Sequence, residues 1–440
     1  MQSNKTKALY YLAWTIIIIG TSITFRYLSM LQNEGWTINS SSIDIEKTGQ
    51  FGDYIGGFVG TLFSLSGFIF LYLTLKEQRI AFRKERFENK FFDLLKIHRE
   101  NANEIQVSFT KVNTTSKIVK GNISTKNNDE VTKEYNLKGQ QAIKYISDQI
   151  SICRQEIKPF FFKKSIENIY TQEYLNTMIE EEFMHERDLE LRELAKTDIA
   201  YTIVFFGLEP NGNYILKNTF YRKYNSEIYE NIINYLALKP VEKSDNWTRW
   251  QKIRKIGTTD KKIDFVNAVI EKRKDQPKIK NRNSFPVDSP QFLDLYYKND
   301  FHKYYSGVQL QLGHYFRHLY QFVNFINDQH FLSYKEKYEY VKTLRAQFST
   351  YEQIILYFNS LSSMGNIWEI RCSLRFSETE KRTITPKQLI NKQLITKYNL
   401  IKNLPMGQLF RQDFARHYPN VKFESYPMPP GRKKLLKLYH

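Results

Sequence analysis

Two long apolar runs without charged residues dominate the first 75 positions of the chain. They are ALYYLAWTIIIIGTSITF, residues 8–25, and YIGGFVGTLFSLSGFIFLYLTL, residues 54–75. The first would extend about 27 Å as a helix, which is close to the hydrocarbon thickness of a bilayer. No small-residue cleavage site follows it, so a cleaved signal peptide is disfavoured. The pattern therefore predicts two transmembrane helices, at about 8–29 and 54–75.

Lysine and arginine are distributed unevenly around these runs. Lys5 and Lys7 precede the first run and a dense basic stretch from Lys76 follows the second, whereas the intervening loop contains only Arg26 and Lys47. Basic residues collect on the cytoplasmic side of membrane helices. We therefore expect a cytoplasmic N-terminus, a short outside loop at about 30–53, and a large cytoplasmic C-terminal portion.

A row of small residues crosses the second run at every fourth position: Gly52, Gly56, Gly60 and Ser64. Small residues at this spacing let helix backbones approach closely within a membrane. The row predicts helix packing, either against the first run or between copies of the chain in a homo-oligomer. Both readings stay open at the level of sequence.

Helical spacing continues after the membrane and returns along most of the chain. Residues 77–105 continue the second helix, 111–139 form a polar stretch that predicts a loop or an excursion, and 140–206 return to helical periodicity. The predicted fold is mainly α, with an N-terminal two-helix transmembrane hairpin followed by a large cytoplasmic α-helical domain. We divide the chain into a hairpin (1–80), a juxtamembrane and basic middle region (81–290) and a C-terminal helical domain (291–440).

The middle region is strongly basic and contains tryptophans among its cations. Such a surface can stack bases while it binds phosphates, so RNA is a candidate partner. The alternative is a solvated helix whose tryptophans pack inward. The nucleic-acid-binding candidates are Trp247, Arg249, Trp250, Lys252, Arg254 and Lys255.

The segment LGHYFRHLYQFVNFI, residues 312–326, has an apolar stripe at steps of four and three. This spacing is typical of one face of a helix. His314, Arg317 and His318 lie on the opposite side. His314 and His318 have the i, i+4 spacing of helical zinc ligands, but no third ligand or catalytic glutamate accompanies them. No metal and no other cofactor is predicted.

Residues 334–363 have the periodicity of one further helix. Arg345, Glu352 and Asn359 recur every seven residues along it, between apolar neighbours. Semi-buried charges need partners, because an unpaired buried ion is costly. We therefore hypothesise that Arg317 or His314 meets Glu352 across this helix pair, and we take these five residues as the first catalytic candidates.

The amino-acid composition says less about the fold and the function than the hydrophobic pattern does. The 440 residues carry a formal net charge of +19, which favours anionic neighbours such as nucleic acid or acidic lipid. A chain rich in Lys, Asn, Ile, Tyr and Phe also arises from an AT-rich genome, so the charge does not decide between partners. The two cysteines, Cys153 and Cys372, are far apart and suit a reducing cytoplasm.

Several segments resemble the AbiC-like family of phage abortive infection proteins. They are FGDYIGGFVG, FFDLLKIHRENANEI, LGHYFRHLYQFVNFI, LRAQFSTYEQIILYFNSLS and LITKYNLIKNLP, and they occur in the family's order. The resemblance implies a multi-pass protein of the bacterial inner membrane. It also implies antiphage defence in which the infected cell is arrested or killed after a phage-derived trigger or a companion protein acts.

The family does not prescribe a mechanism, and two remain open. In the first, the helical domain is a metal-independent ribonuclease. Arg411 and His417 have the loose Arg-to-His spacing of one group of such nucleases, and His314 with Arg317 is the alternative pair. In the second, the domain is a sensor and the membrane helices depolarise the cell as a pore. A purely structural role is the simplest explanation for Arg345, Glu352 and Asn359.

Overall fold

The computed structural model describes most of the chain, and the following refers to those residues. They are 4–34, 45–114, 130–180, 191–242, 245–256, 258–275, 303–369, 385–405, 414–424 and 426–439. The chain divides into two compact units, Met1–Asp93 and Leu94–His440. The three-part division stays a prediction, and its boundary at residue 290 lies outside the described residues.

The first unit is built from two long helices. Helix α1 is Asn4–Asn33, and α2, Ile45–Tyr54, continues through a π-helical turn at Ile55–Val59 into α3, Gly60–Glu104. Both the first helix and the continuous second one are long and apolar enough to cross a membrane. Part of the predicted outside loop is therefore helical, because α2 begins at Ile45. Helix α3 runs past the second apolar run, as its periodicity predicts.

The contacts between α1 and α3 show how the first unit is joined. The Ser66 hydroxyl donates to the Ala13 carbonyl at 2.9 Å, and the Lys76 ammonium donates to the Thr6 hydroxyl at 2.7 Å. Between these two contacts the residue number rises on α3 and falls on α1. The two helices are therefore antiparallel, which is the geometry of a hairpin.

The second unit is mainly helical with one small sheet. After α3 its elements are β1 Gln106–Thr114, β2 Glu130–Lys138, α4 Gln140–Ile157, α5 Ile166–Ile169, α6 Gln172–Glu180, α7 Leu191–Phe206, α8 Pro210–Phe220, α9 Ser226–Ala237, α10 Asp245–Arg254, α11 Thr259–Asp275, α12 Gln309–Asn327, α13 Tyr334–Arg345, α14 Thr350–Leu361, α15 Pro386–Lys392, α16 Leu394–Tyr398, α17 Phe414–His417 and α18 Pro430–Tyr439. Short 3-10 turns occupy Lys158–Phe161 and Asn366–Trp368.

The polar stretch 111–139, predicted as a loop or an excursion from the helical pattern, begins and ends in the two strands of a hairpin. Strands β1 and β2 pair antiparallel, with Gln106 opposite Lys138. The rings of Phe109 and Tyr135 are cross-strand partners 5.5 Å apart, and such aromatic pairs stabilise a hairpin of polar composition. Residues 115–129 lie outside the described residues.

The core centres on α7 and α14, which pack against each other and against α4. Residues 194–205 of α7 and 352–361 of α14 are buried without interruption. A helix buried on all sides is a core helix rather than an amphipathic surface helix. The polar residues of these two helices therefore need partners inside the protein.

Helix α7 ends at a close crossing of two chain segments. Gly207 has a φ of +77° and Gly307 a φ of +94°, values that favour glycine. A Cβ on Gly207 would lie 2.6 Å from the Ser306 carbonyl carbon. Val308 N–H donates to the Phe205 carbonyl at 2.9 Å, directly before α12 begins. The crossing thus fixes the start of α12 against the end of α7.

The predicted single helix at 334–363 is two helices, α13 and α14, separated by Ala346–Ser349. Ser349 and Glu352 form a capping box at the start of α14: the Ser349 hydroxyl accepts from Glu352 N–H at 3.2 Å, and Glu352 accepts from Ser349 N–H at 2.7 Å. A capping box satisfies backbone donors that a continuous helix would satisfy internally. Arg345 therefore ends one helix and Glu352 begins the next.

Candidate functional site

The apolar stripe of α12 is buried as predicted. Its members are Leu312, Phe316, Leu319, Val323 and Ile326. His314 and Arg317 lie on the other side of the helix and are exposed, one turn apart. Among the described residues neither has a charged partner, so both stay available to a ligand.

Glu352 is held by other residues than the hypothesis named. From α12 it is the Tyr315 hydroxyl, not His314 or Arg317, that donates to its carboxylate, at 3.0 Å. From α4, Gln140 donates at 2.9 Å. With the Ser349 cap, the carboxylate is fully engaged inside the protein. The helix pair does meet at Glu352, but through a buried tyrosine rather than an exposed cation.

Arg345 is also used inside the protein. Its guanidinium donates to the carbonyl oxygens of Tyr398 and Asn399, at 3.0 and 3.1 Å. These are the orphan acceptors at the end of α16. Arg345 thus caps a neighbouring helix, and the contact explains its burial.

Asn359 differs from these two, because half of its amide is unused. Its Nδ2 donates to the Tyr201 hydroxyl at 2.9 Å. Its Oδ1 is buried and has no hydrogen-bond partner among the described residues. The side chain is 3% exposed, and an unpaired acceptor at that depth costs about 1–3 kcal/mol. The amide oxygen lies against Gly365, where a Cβ would meet it at 2.2 Å.

A pocket of about 580 Å³ brings Asn359 together with His314 and Arg317. Its remaining walls are mostly aromatic and apolar. They include Phe205, Phe206, Leu310, Phe316, Tyr320, Met364 and Trp368. No carboxylate is found among the described residues that line it. The pocket therefore has a cationic mouth, apolar walls and one unpaired acceptor in its floor.

A buried polar cluster fixes the wall of this pocket that follows α14. The Asp198 carboxylate of α7 accepts from the Lys223 ammonium and the Tyr224 hydroxyl, both at 2.6 Å, and from the Ser363 N–H and hydroxyl, at 2.6 and 2.7 Å. Burial opposes both charges of the ion pair, but their mutual attraction outweighs it. The pKa of Asp198 is lowered and the pKa of Lys223 is raised. Both stay charged at neutral pH, and Ser363 is held in place beside Met364 and Gly365.

The pocket suits a flat ligand with a negative group. Arg317 can bind a phosphate or carboxylate through two N–H groups, and His314 can add a second donor. The aromatic walls can pack against a ring. The Asn359 oxygen lies buried against Gly365, so it can accept from an N–H group of the same ligand only where Gly365 moves aside. These are the binding features of a nucleotide or of a nucleic-acid end.

The other nuclease pair is not assembled in the described residues. Arg411 lies outside them. His417 is buried at the end of α17, and its Nδ1 hydrogen-bonds to the Tyr357 hydroxyl at 2.8 Å. A histidine in this position supports the packing of α14 against α17 rather than reaching a bulky substrate.

The basic middle region uses its tryptophans mainly for packing. Trp250 is fully buried, with its ring 5.0 Å from that of Tyr235, so it has no face open to a base. Trp247 is half-buried and stacks on Tyr304. Arg254 and Lys255 are exposed and stay candidates for phosphate contacts. The side chains of Arg249 and Lys252 lie outside the described residues.

The two histidines of α12 do not face a common site. His314 is at the pocket mouth, whereas the His318 ring lies 6.1 Å from that of His98 of α3, nearly parallel to it. The two rings of α12 thus face different surroundings. No group of three potential metal ligands is found among the described residues.

The small-residue row of the first unit is not used within the unit. A Cβ on Gly52 or Gly56 would meet nothing within 4 Å, and one on Gly60 only the backbone at 3.4 Å. Ser64 is exposed. The close approach of the hairpin occurs instead at Gly20, where a Cβ would lie 2.9 Å from the Phe63 ring. The row therefore stays open to packing by another helix.

The comparisons with known proteins concern the segment that builds this pocket. Residues 307–373 match the family model described as "Putative phage abortive infection protein". The match confirms the resemblance drawn from the sequence. It covers α12, α13, α14 and the pocket wall that follows, including every charged or amide group of the pocket. No curated protein and no solved structure matches the chain.

Proposed function

We propose that this chain is a membrane-anchored antiphage protein of the abortive infection type, which arrests or kills the infected cell. Its helical unit binds a phosphate-bearing ligand in the pocket formed by His314, Arg317 and Asn359, and that binding starts the response. The observation that carries the proposal is the pocket that brings the exposed His314 and Arg317 together with Asn359, whose amide oxygen has no hydrogen-bond partner among the described residues. The matched family segment supplies the antiphage context.

Membrane anchoring follows from the two long apolar helices and their flanking charges. The antiparallel α1 and α3 have the length and composition of a transmembrane hairpin. The excess of lysine and arginine before α1 and after the second apolar run favours a cytoplasmic helical unit, and the antiphage context favours the bacterial inner membrane. The open row at Gly52, Gly56, Gly60 and Ser64 supports assembly into a homo-oligomer.

The use of the buried polar residues favours a sensor over an enzyme. Helix caps and internal hydrogen bonds occupy the polar groups of Arg345, Glu352 and His417. These side chains are therefore not available for catalysis. The pocket keeps one histidine and one arginine, which can bind an anion. The membrane helices then act as the effector, by reorganising into an assembly that depolarises the cell.

One observation favours a second function, a metal-independent ribonuclease. His314 and Arg317 are both exposed at the pocket mouth, one turn apart. A histidine can move the proton of a ribose hydroxyl while an arginine stabilises phosphate charge. In this alternative the pocket holds an RNA end, and RNA cleavage is the cause of arrest.

The experiment compares cells that carry the wild-type protein, Arg317→Ala or Gly56→Leu during phage infection. Phage titre, total RNA integrity and membrane potential are followed together. We expect Arg317→Ala to lose protection, because the ligand's phosphate loses its main partner, worth about 1.5–3 kcal/mol or about 10- to 100-fold in affinity. Depolarisation with intact RNA is expected for the wild type and is expected to be lost in Gly56→Leu.

The matched control is Arg99→Ala, which removes an exposed helical arginine away from the pocket. It should protect as well as the wild type. RNA decay before depolarisation would replace the membrane effector with the ribonuclease. Full protection by Arg317→Ala would show that ligand binding in this pocket is not needed for protection against phage.

A further inference from the structure

A second cavity, of about 370 Å³, lies at the opposite end of α13 from the break at residue 346. It forms where α13, the turn after α16, the coil before α18 and α18 itself come together. Its polar lining consists of Tyr334, Lys335, Tyr338, Asn399, Lys402, Lys422 and Arg432. Met428 and Leu436 complete one apolar side.

Four cations from separate parts of the chain converge on this cavity. Lys335, Lys402, Lys422 and Arg432 line it, and no aspartate or glutamate does so among the described residues. The three lysine ammonium groups have no carboxylate partner in the part of the chain that the structure describes. Like charges held together cost free energy unless an anion neutralises them. The cavity therefore has a strong electrostatic preference for an anionic occupant.

The cavity is held rigidly by Asn399, which adopts the left-handed conformation with φ +50° at the end of α16. Its Nδ2 donates to the Tyr338 hydroxyl at 3.1 Å, and its Oδ1 accepts from the Lys422 N–H at 3.0 Å. Asparagine tolerates this conformation better than most residues. One residue thus joins three walls, so the chain segments that carry Lys335, Lys402 and Lys422 are held together before any ligand arrives.

Arg432 closes the inner end of the cavity. Its guanidinium donates to the carbonyl of Lys397 at 3.0 Å and also to the carbonyl of Thr396. The side chain is 2% exposed. Its hydrogen bonds go to neutral carbonyls, so its charge is not cancelled by a carboxylate. It contributes a fixed positive potential to the cavity.

The tyrosine at the centre of the cavity responds to this potential. Burial opposes ionisation of Tyr338, but hydrogen bonds from Asn399 and Arg345 and the charges of Arg345 and Arg432 outweigh burial. The pKa of Tyr338 is therefore lowered, although most buried tyrosines in this protein have a raised pKa. The direction agrees with a site that favours negative charge.

We propose that this cavity binds a compact ligand that carries at least one phosphate group. Lys335, Lys402 and Lys422 contact the phosphate oxygens, and the Tyr334 ring and Met428 pack against the remainder of the ligand. The volume fits a pyrophosphate group or a mononucleotide better than a polymer. The site is separate from the His314 pocket and does not depend on the proposed function. Its ligand can be a free nucleotide or a phospholipid headgroup, which share this chemistry.

The test is titration calorimetry on the full-length protein in a neutral detergent, with pyrophosphate, ATP and short-chain phosphatidylglycerol as separate probes. We expect saturable binding of at least one probe. In Lys402→Gln/Lys422→Gln we expect affinity to fall by about tenfold or more, since hydrogen bonds to charged groups are worth about 1.5–3 kcal/mol each. Binding of ATP or pyrophosphate would identify the ligand as a soluble phosphate compound. Binding of phosphatidylglycerol alone would identify it as a phospholipid headgroup.

The matched control is Lys433→Gln/Lys434→Gln, which removes the same charge from exposed positions on α18 outside the cavity. It should bind with wild-type affinity. Equal weakening in both double variants would show attraction by net charge alone and would overturn the site, as would the absence of binding by all three probes. The loss in Lys402→Gln/Lys422→Gln should also appear when both substitutions are made in Arg317→Ala, in which the His314 pocket has lost its main cation, so failure here is distinct from failure of the His314 pocket. Circular dichroism of each variant confirms that the fold is intact.

Discussion

Two polar regions of the helical unit lie side by side and are built on opposite principles. Around Asp198, both carboxylate oxygens have donors, from Lys223, Tyr224 and Ser363. In the neighbouring pocket, Asn359 keeps an oxygen with no donor among the described residues. Ser363 of the first region and Asn359 of the second are only four positions apart in sequence. The two regions therefore differ neither in depth of burial nor in place in the fold.

The difference between them is whether the polar atoms are satisfied inside the protein. A buried group with all its hydrogen bonds made contributes to the fold and has nothing left to offer a ligand. A buried acceptor left unpaired lowers stability by about 1–3 kcal/mol, and a ligand can supply the missing donor. The first kind of region should therefore respond to mutation in stability and the second kind in function.

The largest expected effect is that of Asp198→Ala. The variant leaves the Lys223 ammonium buried without its counter-charge, and breaking such a pair costs about 3–5 kcal/mol. Urea unfolding of the purified protein, followed by tryptophan fluorescence, measures the loss. The control is Glu227→Ala, since Glu227 and Lys164 form an exposed pair at 3.7 Å whose loss should cost less than about 1 kcal/mol. Comparable losses in the two variants would contradict a closed structural cluster at Asp198.

His98 tests a third arrangement, a buried ring whose nitrogens have no hydrogen-bond partner among the described residues. Its ring packs among Tyr315, His318 and Phe348. Burial, and then the nearby charge of His318, lower the pKa of His98 to about 3. Below the pKa of about 6.5 of the unfolded chain, the unfolded state takes up a proton that the folded state refuses. Stability is therefore retained above pH 6.5 and lost as the pH falls.

The expected size of this effect follows from linkage. Between pH 6.5 and 5 one such group removes about 2 kcal/mol of stability. His98→Phe keeps the aromatic packing. Its free energy of unfolding should therefore fall by about that much less than that of the wild type between pH 6.5 and 5. The exposed His330 provides the control, His330→Ala, which should keep the wild-type slope. An unchanged slope in His98→Phe would mean that His98 is protonated in the folded protein.

The sequence predicts best those features that depend on local spacing. The two apolar runs, the continuation of the second helix past residue 76 and the stripe from Leu312 to Ile326 all follow from periodicity, and the structure contains each of them. The break between α13 and α14 was missed, although Ser349 and Glu352 have the spacing of a capping box. The apolar periodicity of 334–363 continues across the break in sequence, which hid the start of a new helix.

Features that depend on distant parts of the chain could not be predicted in this way. Asp198 lies in a helix whose residues 194–205 are all buried, and a buried charge needs a partner that the spacing does not identify. Its partners lie 25 and 165 positions away, at Lys223 and Ser363. The lysines of the second cavity come from separate segments, so no spacing rule joins them. His314, Arg317 and Asn359 were chosen from sequence, but only the structure shows that they share a pocket.

Tyr201→Phe has the smallest expected effect on stability. It tests whether a polar group at the pocket matters for function beyond its contribution to stability. The Tyr201 hydroxyl holds Nδ2 of Asn359, and its loss should cost about 1 kcal/mol. The matched control is Tyr418→Phe, which removes another buried hydroxyl, one that hydrogen-bonds to Ser360 at 2.6 Å, and should cost a similar amount. Without the Tyr201 hydroxyl, Nδ2 of Asn359 loses its acceptor, so the orientation of the amide at the pocket wall is less firmly fixed. Phage titres should therefore rise in cells that carry Tyr201→Phe and not in those that carry Tyr418→Phe. Equal protection by both variants would show that the orientation of the Asn359 amide does not matter, because stability alone cannot distinguish them.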